Sequence, residues 1–99
     1  MPIFVQHIET NQSDSLKDFF DVPVSTYDNC YDGYDNHITQ KKILYSQDSL
    51  QKTRQAVWSS QEIYDQFFAQ PGVIRWVADR DAYNALNGIT LEKIVTEVA

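Results

Sequence analysis

Residues 58–63, Trp-Ser-Ser-Gln-Glu-Ile, decide how the second half of the chain folds. Ser59 followed by Glu62 is a capping box, in which each side chain satisfies a backbone N–H at the start of a helix. Trp58 before the cap and Ile63 after it can form the hydrophobic staple that fixes the entry angle of the chain. We therefore predict that a strand ends at the tryptophan and that a helix begins one residue after the cap.

This helix is predicted to cover residues 60–87, with a bend or restart at the Gln-Pro-Gly of residues 70–72. A proline is tolerated there as a first-turn residue of a new helical segment. Asn87-Gly88 supplies the left-handed stop. In the second segment we expect Arg80 and Asn84 to lie off the apolar stripe, which is made of Ile74, Ala78, Ala82, Ala85 and Leu86.

Four runs are predicted as strands. Residues 3–10 are rich in β-branched and aromatic side chains, and residues 41–47 and 50–58 flank a turn-like Gln-Asp-Ser, as in a β-hairpin. Residues 89–98 also fit a helical period, but their β-branched content and their position directly after a helix stop favour a strand.

Residues 11–39 are predicted to form an irregular crossover within a single domain of residues 1–99. Leu16–Phe20 can form a short helix, capped by Ser13 or Asp14 and closed by Pro23. Residues 25–36 are predicted to form an ordered surface loop whose tyrosines fold inward. The resulting order is that of an α+β, ferredoxin-like βαββαβ domain, with a four-stranded antiparallel sheet and its helices on one face. Such a scaffold implies no function by itself.

Composition excludes several functional classes. The 99 residues carry a net charge of −6, which argues against nucleic acid as a partner. A single cysteine excludes a disulfide framework and a Cys-rich zinc module. We expect a soluble, cytoplasmic protein with no membrane association. Charge is uneven, since residues 38–58 carry four cations against Asp48; we interpret this run as a solvated face, with a contact to the acidic first third as the alternative.

From Lys42 to Val98 the chain resembles the dimeric α/β-barrel superfamily that includes the antibiotic-biosynthesis monooxygenases. The similarity lies in three stretches: Ile-Leu-Tyr-Ser-Gln-Asp at 43–48, Ala-Val-Trp-Ser-Ser at 56–60, and Glu-Ile-Tyr-Asp-Gln-Phe-Phe at 62–68. The resemblance implies a homodimer in which the sheets of two subunits pack face to face. Apolar residues on both faces of strands 3–10 and 89–98 agree with such a dimer.

The resemblance also bears on cofactors. Haem-degrading members of the superfamily carry an Asn on the first strand, a Trp on the third strand and a His ligand on the following helix. Here Trp58 stands at the Trp position, Gln6 or His7 replaces the Asn, and residues 60–87 contain no His. We therefore expect no haem and no other cofactor. Cofactor-independent members need only a pocket with a few polar groups.

Metal sites are poorly supported by the spacing of ligand types. Cys30 and His37 match no zinc pattern. Residues 28–39 begin like a calcium loop, but Thr39 stands where a bidentate Glu is required. A looser cation site formed by Asp28, Asp32 and Asp35 remains an alternative.

The candidate ligand pocket consists of His7, Tyr45 and Trp58. His7 is the weak catalytic candidate, because an imidazole in a cavity can accept a proton, whereas a hydrogen-bonded sheet histidine is the structural alternative. We predict a non-catalytic or small-ligand-binding protein that takes a small apolar or aromatic molecule. The alternative is a cofactor-independent monooxygenase acting on a small aromatic substrate.

Overall fold

Four strands form one antiparallel sheet in the computed structural model, which describes residues 1–12 and 18–98. The strands are β1 (Ile3–Asn11), β2 (Ile38–Tyr45), β3 (Gln51–Trp58) and β4 (Ile89–Glu97). They lie in the order β2-β3-β1-β4. Two helices, α1 (Gln61–Phe68) and α2 (Pro71–Asn87), join β3 to β4. The predicted α+β, ferredoxin-like architecture is confirmed.

The register of the sheet sets which side chains face the helices. Within β1 the most buried positions alternate and include Ile3 and Val5. Ile3 lies opposite Trp58, and His7 lies opposite Arg54. Because directly opposed residues of an antiparallel pair share a face, all four project toward the helices. We call this side the inner face of the sheet and the opposite side the outer face.

The helix cap lies one residue later than predicted. The N-cap is Ser60, whose Oγ accepts a hydrogen bond from the Ile63 backbone N–H at 3.1 Å. The Ser59 side chain instead pairs with Nδ1 of His37 at 2.9 Å. The capping box assigned to Ser59 and Glu62 is therefore wrong, because a partner on the crossover takes the first serine and leaves the cap to the second.

The predicted interruption and stop of the helix are confirmed. The chain leaves α1 after Phe68 and restarts with Pro71 in the first turn of α2. Gly88 ends α2 in the left-handed region, at a φ of 67°. A residue without a Cβ adopts this conformation at little cost.

The expected apolar stripe of α2 does not face the core. All five of its residues are exposed, with Leu86 at 86%. The buried face is instead formed by Gly72, Val73, Trp76, Arg80 and Asn84. The prediction was wrong because partners distant in sequence stabilise these polar groups; Asn84, for example, donates to a Glu9 carboxylate oxygen at 3.1 Å.

The crossover packs its tyrosines inward, as predicted. Tyr27, Tyr31 and Tyr34 pack against the core. Regular structure in the described part of the crossover is limited to two 3₁₀ turns, Val24–Thr26 and Asp35–His37. Residues 18–20 of the predicted short helix are not helical, and the rest of it, with the proposed caps Ser13 and Asp14, lies outside the described residues.

The hairpin is confirmed with shifted bounds. β2 begins at Ile38, three residues earlier than predicted, and its pairing with β3 shifts between Thr39 and Lys42. Gln40 within this bulge has a φ of 53°. Across the described residues, neither helix is long and apolar enough to cross a membrane.

Candidate functional site

A cavity of about 550 Å³ lies between the inner face of the sheet, the helices and the crossover. Its apolar wall is mainly aromatic and includes Tyr31, Trp58, Tyr64, Phe67, Phe68 and Trp76. His7, Arg54 and Lys41 are among the polar side chains that reach it. A volume of this size, with apolar walls and a few polar groups, is typical of a small-molecule site.

Aromatic side chains of α1 pack against Trp58 at the end of β3, and all of them line the cavity. Trp58 is only 6% exposed, and its ring lies 5.1 Å from that of Tyr64 and 5.0 Å from that of Phe67. Phe68 adds a further ring at 6.1 Å from the tryptophan. Aromatic pairs at these distances contribute stability beyond simple burial. Trp58 therefore belongs to the core and lines the cavity at the same time.

His7 faces the cavity from the centre of the sheet. Its Nε2 lies 3.3 Å from the Tyr64 hydroxyl, and its ring lies edge-on to Phe68 at 6.1 Å. Burial, together with the positive charges of Arg80, Lys93 and Arg54, lowers the pKa of His7 from 6.5 to about 4. The imidazole is therefore neutral near physiological pH and can accept a hydrogen bond from a bound molecule.

Tyr64 is the second polar group on this side of the cavity. Burial raises the pKa of its phenol, against the opposing effect of Lys93. The ammonium of Lys93 lies 4.8 Å from the centre of the Tyr64 ring. The hydroxyl thus stays protonated near neutral pH and can donate a hydrogen bond.

Tyr45, the third predicted pocket residue, lies apart from His7 and Trp58. It is 59% exposed and stands opposite Lys52 near the hairpin turn, with its ring 6.4 Å from that of Phe19. Ile43 takes the position facing the cavity. Two residues along a strand correspond to about 6.6 Å, which is enough to carry the tyrosine past the cavity.

Sequence reasoning missed a basic and aromatic cluster at the site. The Trp76 indole N–H donates to the Val22 carbonyl at 2.6 Å, and two guanidinium carbons lie near its ring centre: Arg80 at 5.1 Å and Arg54 at 5.4 Å. Cation–π attraction of this kind holds arginine side chains in place. The position of Arg54 could have been predicted from the sequence. It precedes Trp58 by an even number of residues on the same strand, and alternate strand residues share a face.

A buried polar cluster lies farther along the inner face of the sheet. Lys52 is 1% exposed, and its ammonium lies 3.9 Å from the carboxylate of Asp21, which also lines the cavity. Burial and the charge of Arg54 lower the pKa of Lys52, against the opposing effects of Glu9 and Asp21. The Lys52 ammonium has no hydrogen-bond partner among the described residues, so its contact with Asp21 is a long ion pair.

Asp28 on the crossover and Asp79 on α2 make contacts between these two elements. Asp28 forms an ion pair with Arg75 at 2.5 Å, and Asp79 accepts a hydrogen bond from the Tyr27 hydroxyl at 2.9 Å. Cys30 is buried, and burial raises the pKa of its thiol. Within the described residues, no three His, Cys, Asp or Glu side chains are grouped so that they can hold a metal ion.

No protein-family model and no curated protein matches the sequence. Several solved structures share its fold. SnoaB, a cofactor-independent oxygenase from Streptomyces nogalater, is 12% identical, with a TM-score of 0.61 over 99% of this chain and 93% of that one. Rv0793 from Mycobacterium tuberculosis is also 12% identical, with a TM-score of 0.65 over 100% and 96%.

A proposed antibiotic biosynthesis monooxygenase from Deinococcus radiodurans is similar as well. It is 8% identical, with a TM-score of 0.60 over 98% of this chain and 92% of that one. At such low identities the likeness concerns the fold alone. The chain therefore has the ferredoxin-like fold of antibiotic-biosynthesis-monooxygenase-like proteins, as its sequence resemblance implied.

Proposed function

We propose that this chain binds a small, planar, mainly apolar molecule in the cavity between its sheet and its helices. The supporting observation is the cavity itself, about 550 Å³ with mainly aromatic walls. A protein that used this fold only as a scaffold would gain stability by filling such a space with side chains. Aromatic walls favour a flat ligand, because ring faces stack on one another.

Two polar groups are suited to orient the ligand. The neutral imidazole of His7 accepts hydrogen bonds, and the Tyr64 hydroxyl donates them. They are hydrogen-bonded to each other at 3.3 Å, so an oxygen-bearing edge of a ligand that contacts both would replace this bond.

The test is titration of the full-length protein with 9-anthracenemethanol, a flat neutral probe, followed by tryptophan fluorescence. Ala56 lines the cavity and Ala78 is exposed on α2, so Ala56→Leu fills the space and Ala78→Leu is the matched control. We expect saturable binding that Ala56→Leu weakens at least tenfold and Ala78→Leu leaves unchanged. Absence of saturable binding to the unmodified chain would contradict the proposal.

A second candidate function is cofactor-independent oxygenation of such a ligand. It is favoured by the neutral imidazole of His7 at the cavity wall, and SnoaB, a cofactor-independent oxygenase, has the same fold. In such a reaction the substrate supplies the electrons: a ring CH₂ group loses both hydrogens, one atom of O₂ becomes the carbonyl oxygen, and the other leaves as water. His7 would take up the first proton as the carbanion forms, and the positive charge of Arg54, which lines the cavity, would stabilise the carbanion.

Incubation of the protein with anthrone under oxygen tests this candidate. Product formation above the uncatalysed rate, lost in His7→Ala and retained in His37→Ala, is the expected result. His37 is the appropriate control, because it lies outside the cavity lining and pairs with Ser59. Anthrone binding without any rate above background would leave only the ligand-binding function.

The outer face of the sheet is proposed as the surface of a homodimer. By register, Phe4, Ile8, Leu44, Val57 and Ile94 share this face, and Leu44 is 47% exposed. An obligate interface of this kind buries about 2,000 Å² or more.

Light scattering should give twice the chain mass of 11.5 kDa. Leu44→Glu should halve that mass, whereas Leu86→Glu on the exposed side of α2 should not; a monomeric unmodified chain would contradict the dimer.

A further inference from the structure

The charges around the cavity indicate which kind of ligand it binds. This inference rests on the proposed ligand-binding function. The chain as a whole has a net charge of −6. Nevertheless, the charged side chains that reach the cavity are mainly basic and include Arg54 and Lys41. Among the described acidic residues, Asp21 alone lines it. The cavity is therefore positive within an acidic protein.

The single acidic group does not neutralise these cations. Asp21 is 3.9 Å from the buried ammonium of Lys52, which does not itself line the cavity. Within the described part of the chain, neither Arg54 nor Lys41 forms an ion pair. The positive charge facing the cavity is thus left without an internal partner.

Aromatic rings hold both cations in place. The Arg54 guanidinium carbon lies 5.4 Å from the centre of the Trp76 ring, and the Lys41 ammonium lies 5.7 Å from the centre of the Tyr31 ring. Both rings line the cavity as well. A guanidinium beside an aromatic face can still present its N–H groups to a carboxylate. Arg54 is half-buried, whereas Lys41 is exposed, which places Lys41 on the solvent side of the cavity.

We infer that the ligand is a planar aromatic anion whose carboxylate or phenolate oxygen is held by Arg54, with Lys41 attracting it at the opening. An uncharged ligand of the same shape would leave the arginine desolvated without a partner. Such a site discriminates strongly between the two ligands.

The experiment compares two flat probes of nearly equal shape, 9-anthracenecarboxylate and 9-anthracenemethanol, binding to the full-length protein at neutral pH. The carboxylate should bind at least tenfold more tightly, and high salt should weaken its binding alone. Arg54→Gln should remove most of this preference, Arg54→Lys should restore part of it, and Arg75→Gln should leave it unchanged. Arg75 is the matched control because it is exposed, paired with Asp28 and outside the cavity lining.

The possible outcomes separate this inference from the proposed function. Equal binding of the two probes, insensitive to Arg54→Gln, would overturn the anion preference and leave the ligand-binding cavity intact. Binding of neither probe would overturn both. If Arg54→Gln fails to fold, as judged by circular dichroism, Lys41→Gln serves as the second variant, and it should weaken carboxylate binding severalfold. An unchanged affinity of Lys41→Gln for the carboxylate would contradict the proposed role of Lys41 at the opening of the cavity.

Discussion

Replacement of Trp58 by alanine separates the structural role of this residue from its role at the cavity. An aromatic side chain buries about 150–250 Å², worth about 4–6 kcal/mol at 25 cal/mol per Å². Measured losses for such truncations are about 3–5 kcal/mol. Because the Trp58 ring already borders the cavity on one side, we expect the lower end of this range, about 3 kcal/mol.

Urea unfolding at one fixed protein concentration is the assay. With a slope of about 1.5 kcal/mol per molar urea, a loss of about 3 kcal/mol lowers the midpoint by about 2 M. Trp58→Phe is the matched control, because it keeps a ring against Tyr64 and Phe67 and should lose less than half as much. A loss below about 1 kcal/mol in Trp58→Ala would refute the core role and leave Trp58 as a ligand-stacking group.

Three further predictions concern the cap, a close contact and a buried base. Ser60→Ala should cost about 1 kcal/mol in urea melts, and Ser59→Ala clearly less, because Ser60 caps the helix; equal losses would refute this assignment. Gly72→Ala should lower the thermal midpoint, because a Cβ there meets the Tyr27 carbonyl oxygen; an unchanged midpoint would show that the contact relaxes freely. The pKa of His7 is lowered to about 4, so the unfolded chain binds more protons between pH 6.5 and 4, and stability should fall as pH falls through that range. His7→Gln should reduce the change of stability with pH. An NMR titration that gives the His7 imidazole a pKa near 6.5 would contradict this prediction.

The order of the strands and helices was predictable because the signals are local. A run rich in β-branched and aromatic residues defines β1, and the left-handed stop at Gly88 separates α2 from β4. The cap was misplaced by one residue because two serines stand side by side. Only the position of His37, which pairs with Ser59, decides between them.

The buried face of α2 was not predictable from its own residues. The helical period predicts that Arg80 and Asn84 face solvent. Both are buried, because Arg80 packs against the Trp76 ring and Asn84 donates a hydrogen bond to the Glu9 carboxylate. Glu9 lies 75 residues away from Asn84, so no helical period reports this contact. Because Arg80 and Asn84 face the core, the alanines and Leu86 of the predicted stripe face solvent.

Two of the three candidate pocket residues line the same cavity. His7 and Trp58 reach the cavity, because strand alternation and the position before a helix are visible in the sequence. Tyr45 does not, because the extent of the cavity along β2 depends on how the crossover and helices cover the sheet. Trp76 was missed because its position is fixed by Val22, on a part of the crossover without regular structure.

Ligand binding in the cavity is the central claim, and NMR of the full-length protein titrated with 9-anthracenemethanol tests it most directly. We predict saturable shifts of the Trp58 and Trp76 indole N–H signals and of His7, all of which line the cavity. Leu44 on the outer face and Leu86 on the exposed side of α2 should not respond. Shifts confined to residues such as these two, with the tryptophan and histidine signals unmoved, would contradict the account.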